Sequence, residues 1–164
     1  MNFSQRRSLL VKGNPAKQAV AFRIKPEAQR PVFPQKLDLI PAWIRLHYSK
    51  RSTLQHEEDF WAFEMMSFLV WEQPELAWGI ILDILAADSS PRILGNLAAG
   101  PFEDLLTKYG ERFIDKVEEE AQRNPMFREL LNVVWKNGMS DDVWIRVQTA
   151  RDQRNSDGIS HAPN

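Results

Sequence analysis

Through the middle of the chain, apolar residues recur at intervals of three and four, in short runs cut by proline, glycine or serine. That spacing lines one face of an α-helix. Leu76, Ala77, Ile80, Ile81, Ile84 and Leu85 show it across residues 74–87. Phe102, Leu105, Leu106 and Tyr109 show it in 101–109, as do Phe113, Ile114, Val117 and Ala121 in 111–123. Phe127, Leu130, Leu131 and Val134 repeat it in 125–137. Residues 54–72 differ, being apolar almost all round: Phe60, Trp61, Phe63, Met65, Met66, Phe68, Leu69, Val70 and Trp71. A helix of that kind is expected at the centre of a fold, with Met65 and Met66 as gap-fillers rather than ligands.

The punctuation agrees with the periodicity. Pro74, Pro91, Pro101 and Pro125 head apolar runs, where the missing N–H of proline costs no helical bond. Gly100, Gly110 and Gly138 stand just past the ends of runs, as left-handed helix stops would. A helix over 38–48 is expected to open on Asp38 with Pro41 in its first turn, and to line one face with Ile40, Trp43, Ile44 and Tyr48. Ser52 and Gln55 have capping-box spacing ahead of 54–72. Ser89 or Ser90 caps a short helix holding Ile93, Leu94 and Leu97, and Ser140 caps a last one holding Val143, Trp144 and Val147. The expected fold is all-α: about eight short helices over 37–150, joined by short loops, as a compact bundle or a HEAT-like stack of helical pairs.

Residues 1–36 break this pattern. Pro15, Pro26, Pro31 and Pro34 interrupt any helix, while Val20, Phe22 and Ile24 alternate with Ala21, Arg23 and Lys25 as in a short strand. The segment reads as a flexible arm or as a short hairpin with residues 9–11. Residues 151–164 are polar and read as a disordered tail.

Charge sharpens the division. The first 36 residues hold eight basic groups against one acid, Glu27, a net +7, so a chain of total charge −1 carries −8 over the rest. A basic arm on an acidic body can recruit partners of opposite charge at its two ends. There is no cysteine, which removes disulfides, thiolate catalysis and cysteine–zinc sites and fits a cytoplasmic setting. The longest apolar stretch, 77–87, is broken by Gly79 and Asp83 and falls far short of the ~20 residues a membrane span needs. No membrane association is expected, and no secretory leader is visible.

Two strings carry a resemblance. LAAGPFEDLL at 97–106 and KYGERFIDKVEEEAQRNPMFRELLNVVWKNGMSDDVW at 108–144 resemble a family of bacterial helical domains of unknown function, whose members read LAAGPLEDLL and close on an MSDDVW-like stretch. Trp43-Ile44-Arg45 with His47, and Phe60-Trp61-Ala62, resemble its opening helices, so the likeness covers about residues 37–148. It implies a helical bacterial domain with no assigned activity. Lys108-Tyr109-Gly110 stands where members often carry Arg-His-Gly, so a function resting on that histidine would be missing here.

Candidate chemistry is sparse. His47, His56 and His161 are the only histidines and show no metal-ligand spacing, so neither metal nor cofactor is expected. No glycine-rich phosphate loop or nucleophile elbow occurs, and an enzyme is not expected. Glu103 and Asp104 most simply complement a helix dipole; the sharper reading is an acidic binding spot beside Asn96. Trp135 and Trp144 flank the turn holding Asn137, Asp141 and Asp142. Trp144 falls on an apolar stripe, and Trp135 is the better candidate for a surface anchor. The expected function is a non-enzymatic protein-interaction module with a basic partner, by class analogy a neutralising or accessory protein. The alternative is nucleic-acid binding through Arg6, Arg7, Lys12, Lys17, Arg23 and Lys25 of the arm.

Overall fold

A computed structural model describes residues 36–152. The arm, its hairpin, the tail beyond Asp152 and the arm's six basic candidates lie outside them. Seven α-helices occupy the described residues: α1 (Lys36–Tyr48), α2 (Leu54–Glu72), α3 (Pro74–Ala87), α4 (Pro91–Leu97), α5 (Glu103–Arg123), α6 (Pro125–Asn132) and α7 (Asp141–Asp152). A single wide π-turn, Ala98–Phe102, joins α4 to α5. No strand occurs among the described residues.

Proline sets three of the starts. Pro74, Pro91 and Pro125 open α3, α4 and α6. Ser90 Oγ caps α4 by accepting from Ile93 N–H, and Asn124 Oδ1 caps α6 by accepting from Met126 and Phe127 N–H. Ser140 Oγ accepts from Val143 N–H at the start of α7, as its position predicts.

Elsewhere the boundaries move. α1 begins at Lys36, which places Pro41 inside the helix, and its buried side is Leu39, Ala42, Trp43 and Leu46 while Tyr48 is exposed. The N-cap of α2 is Thr53, whose hydroxyl accepts from His56 N–H, not Ser52. The helices expected at 101–109 and 111–123 are one, α5, bent at Tyr109 (φ −128°, ψ 23°). Pro101 lies within the π-turn rather than at a fresh start. α6 stops at Asn132, and residues 133–140 form a loop in which Asn137 takes the left-handed conformation (φ 40°).

Glycine therefore plays a different part from the one its spacing suggests. No described glycine has a positive φ. Gly110 and Gly138 instead permit close approach: a Cβ on Gly110 would lie 2.9 Å from Val143 Cγ1, and one on Gly138 would lie 2.7 Å from Thr107 Cγ2. α5 packs on α7 through the first of these contacts.

One core draws on every helix. At its centre Trp78, Phe102, Phe113 and Phe127 form a ring cluster, with Trp78 5.7 Å from Phe113 and Phe102 5.5 Å edge-on to Phe127. Helices distant in sequence meet across it: α1 with α4, α2 with α5, α3 with α6. A helical-pair stack contacts only its neighbours, so the bundle alternative describes this arrangement.

α2 is the largest departure. Its inner side, Ala62, Met66, Leu69 and Val70, is buried, but Phe60, Phe63, Phe68 and Trp71 are 43–54% exposed. The helix lies at the surface with aromatic rings facing out, not at the centre. Asp59 on its inner side is held by Arg45 Nε (3.1 Å), Arg45 Nη2 (2.7 Å) and Gln55 Nε2 (2.7 Å), which pins α1 to α2.

Candidate functional site

α1, α2, α4, the π-turn and the first turn of α5 line a half-open cavity beside a groove, with Phe63, Asn96 and Asp104 exposed at its edge. The cavity, about 160 Å³, is lined by Trp43, His47, Phe63, Ser67, Asn96 and Asp104, among others. The groove, about 870 Å³, runs past Ser49, Arg51, His56 and Phe60. His47, Phe63 and Asn96 line both, so the two spaces adjoin.

Helical spacing explains the wall. His56, Phe60, Phe63 and Ser67 fall one turn apart on α2 and share a side. The Phe60 and Phe63 rings lie 5.6 Å apart with their planes inclined by 29°. His47 belongs to the last turn of α1. Its Nδ1–H donates to Trp43 O at 2.8 Å, and its ring lies 3.8 Å from the Trp43 ring. Burial lowers the His47 pKa below its ordinary value, with the charge of nearby His56 acting the same way, so the imidazole is held neutral with its Nε2 lone pair unused by the Trp43 bond.

His56 Nδ1 lies 2.9 Å from Ser49 Oγ, whose hydroxyl donates to Leu46 O at 2.7 Å. With the hydroxyl proton given to a carbonyl, His56 donates to the serine. The pair closes the α1–α2 connection.

The residues singled out from sequence separate into three places. Asn96 and Asp104 meet in the cavity. Asn96 Nδ2 donates to Arg92 O at 2.7 Å, which leaves its Oδ1 as an acceptor. Partial burial and then the adjacent Glu103 push the Asp104 carboxyl above the usual aspartate range, and no cation among the described residues offsets them. Glu103 points elsewhere: it is buried and accepts from Asn137 Nδ2, tying the start of α5 to the turn before α7. From that turn Lys136 pairs with Asp141, the first residue of α7, lowering its pKa, so both serve as an internal pair. Trp135 and Asp142 are exposed away from the cavity, Trp135 at 75%. Trp144 packs against the core.

Sequence reasoning missed His47, His56, Phe60, Phe63 and Ser67 as parts of a site. A signal existed on α2, which holds five carboxylates (Glu57, Glu58, Asp59, Glu64, Glu72) and no lysine or arginine. On a helical projection Glu57, Phe60, Glu64 and Trp71 fall on one stripe opposite Ala62 and Met66. An all-round apolar helix would not alternate acids with rings in this way.

Among the described residues, no group of three histidines or carboxylates is placed to hold a metal ion, and no helix is long and apolar enough to cross a membrane. No curated protein and no solved structure matches the chain. A family model does match, over residues 49–155, beginning after α1 rather than at residue 37. With most of its length matched, the chain belongs to the family described as "Family of unknown function (DUF6869)".

Proposed function

We propose that this domain is a non-enzymatic interaction module and that the outer face of α2 is where a basic, partly apolar protein segment docks. One observation carries the reading. Phe60, Phe63 and Trp71 stand 44%, 47% and 54% exposed, interleaved with the exposed carboxylates Glu57, Glu58, Glu64 and Glu72. Clustered aromatic rings are the usual anchors of protein interfaces, and grouped surface rings mark binding sites more often than scattered ones do. The carboxylates select the charge of the partner and speed its approach. The chain already lays one cation on this surface: Lys108 Nζ lies 3.9 Å from the Trp71 ring centroid and donates to Trp71 O at 3.1 Å. Neutralising a basic effector is the role that this charge pattern favours.

The test is affinity capture from the native host with the tagged full chain. Three forms are compared: wild type, the double variant Phe60→Ser/Phe63→Ser, and Trp135→Ala. A protein recovered in stoichiometric amount by wild type and Trp135→Ala, lost with the double variant and weakened by salt, supports the reading. Equal recovery by all three, or no stoichiometric protein, overturns it.

A further inference from the structure

The cavity beside α2 has a chemistry of its own. Its polar groups arrive from separate elements: His47 from α1, Ser67 from α2, Asn96 from α4 and Asp104 from α5. Three of them present acceptors. His47 is neutral and donates through Nδ1, so Nε2 offers a lone pair. Asn96 gives one amide N–H to Arg92 O and offers Oδ1. Asp104 offers a carboxylate that has neither a hydrogen bond nor an ion pair among the described residues. Among the described residues no lysine or arginine lines the cavity; Arg51 lies in the outer groove, and Arg92 sits over the Tyr48 ring with Nη1 3.5 Å from His47 O. The Phe63 ring forms an apolar side at the mouth.

Such a set is richer in acceptors than in donors, its donors being the Ser67 hydroxyl and the second Asn96 N–H, and no cation stands among its described lining residues. A cavity of 160 Å³ holds about five waters, the bulk of one long side chain rather than of a cofactor. We infer that the cavity seats one arginine side chain of the partner, the guanidinium meeting Asp104, His47 Nε2 and Asn96 Oδ1. Guanidinium is preferred over ammonium because it is planar, carries five N–H donors, pairs with a carboxylate in a two-pronged fork and stacks on an aromatic face such as Phe63. The inference rests on the docking reading for α2 and adds the specific residue that the partner must present.

The probe is N-acetyl-arginine-N-methylamide, titrated into the full ¹⁵N-labelled chain. Its lysine and citrulline counterparts are titrated in parallel; citrulline keeps the shape of arginine without its charge. The arginine compound is expected to shift the Asn96 side-chain amide and the backbone amides of Gly100 and Asp104 saturably, with a Kd of about 1 mM. Citrulline should produce no saturable shift, and Asp104→Asn should weaken the arginine response about tenfold. Asn96→Ala, at an exposed position, gives a second variant that should weaken it without altering the rest of the spectrum. Citrulline matching arginine, lysine matching arginine, or a response unchanged by Asp104→Asn overturns the inference. If the Phe60→Ser/Phe63→Ser chain loses a captured partner while arginine leaves the cavity amides unmoved, the docking face stands and the arginine seat falls. If arginine binds as described but no stoichiometric protein is captured, the seat stands and the docking face falls.

Discussion

Phe127 joins α6 to the centre of the core, and its removal should be among the most damaging single changes. The ring is fully buried. It meets Phe102 edge-on at 5.5 Å and Trp78 at 5.6 Å with a 67° interplanar angle. Truncating a buried phenylalanine to alanine costs about 3–5 kcal/mol in transfer and cavity terms. Each edge-to-face pair contributes roughly 0.5–1.5 kcal/mol beyond burial, which puts Phe127→Ala in the upper part of that range, at about 4–5 kcal/mol. That is a large share of the ~5–15 kcal/mol that holds a domain folded. Urea unfolding followed by far-ultraviolet circular dichroism measures the loss, with Phe63→Ala as the internal contrast. Phe63 is half exposed, and its truncation should stay within about 0.5 kcal/mol. A Phe127→Ala loss below about 1 kcal/mol, or a Phe63→Ala loss as large as that of Phe127→Ala, would refute the assignment of one ring to the core and the other to the surface.

Three further outcomes follow from the packing. Arg45→Met strips the two-pronged partner from buried Asp59 and should cost about 1–3 kcal/mol at neutral pH, between the exposed and buried limits because Arg45 is half exposed. Arg45 holds the Asp59 pKa below its unfolded value, so the stability it contributes is present above about pH 4 and fades as pH falls through the folded pKa; the difference in Tm between wild type and variant should narrow with acid, and a gap independent of pH contradicts the pairing. Gly110→Ala drives a Cβ to 2.9 Å from Val143 Cγ1 and should cost about 1–3 kcal/mol, with Val143→Ala in the same chain recovering part of the loss; additive losses in urea unfolding would show that the two sites do not touch. Tyr109→Phe removes the hydroxyl that donates to Trp71 O at 2.7 Å and should cost about 0.5–1.5 kcal/mol by thermal melt, while no change in Tm would mean that this bond does not tether α2 to α5.

Much of the fold was legible because proline and the short polar caps act locally. Pro74, Pro91 and Pro125 mark true helix starts, and Ser90 and Ser140 cap where their positions suggest. What escaped depends on tertiary contacts. Gly110 reads as a stop, yet its lack of a side chain serves the approach of Val143, so α5 bends at Tyr109 instead of ending. Gly138 likewise admits Thr107, while the left-handed residue is its neighbour Asn137. α2 misled because periodicity cannot tell a helix surrounded by protein from one with rings on its outer side; Glu57 and Glu64 on the stripe of Phe60 and Trp71 were the available clue. Two members of the site were within reach, since Asn96 and Asp104 both line the cavity. Glu103, one residue from Asp104, turns to Asn137 because adjacent helical positions face different ways.

Hydroxyl-radical footprinting of the full chain, alone and with its captured partner, tests the α2 face most directly. Alone, Phe60 and Phe63 should be oxidised readily, more slowly than the more exposed and more reactive Trp135 but far faster than Phe102 and Phe127. With the partner bound, Phe60 and Phe63 should be protected while Trp135 reacts as before. Protection of Phe60 and Phe63 in the isolated protein, or unchanged rates in the complex, would contradict the account.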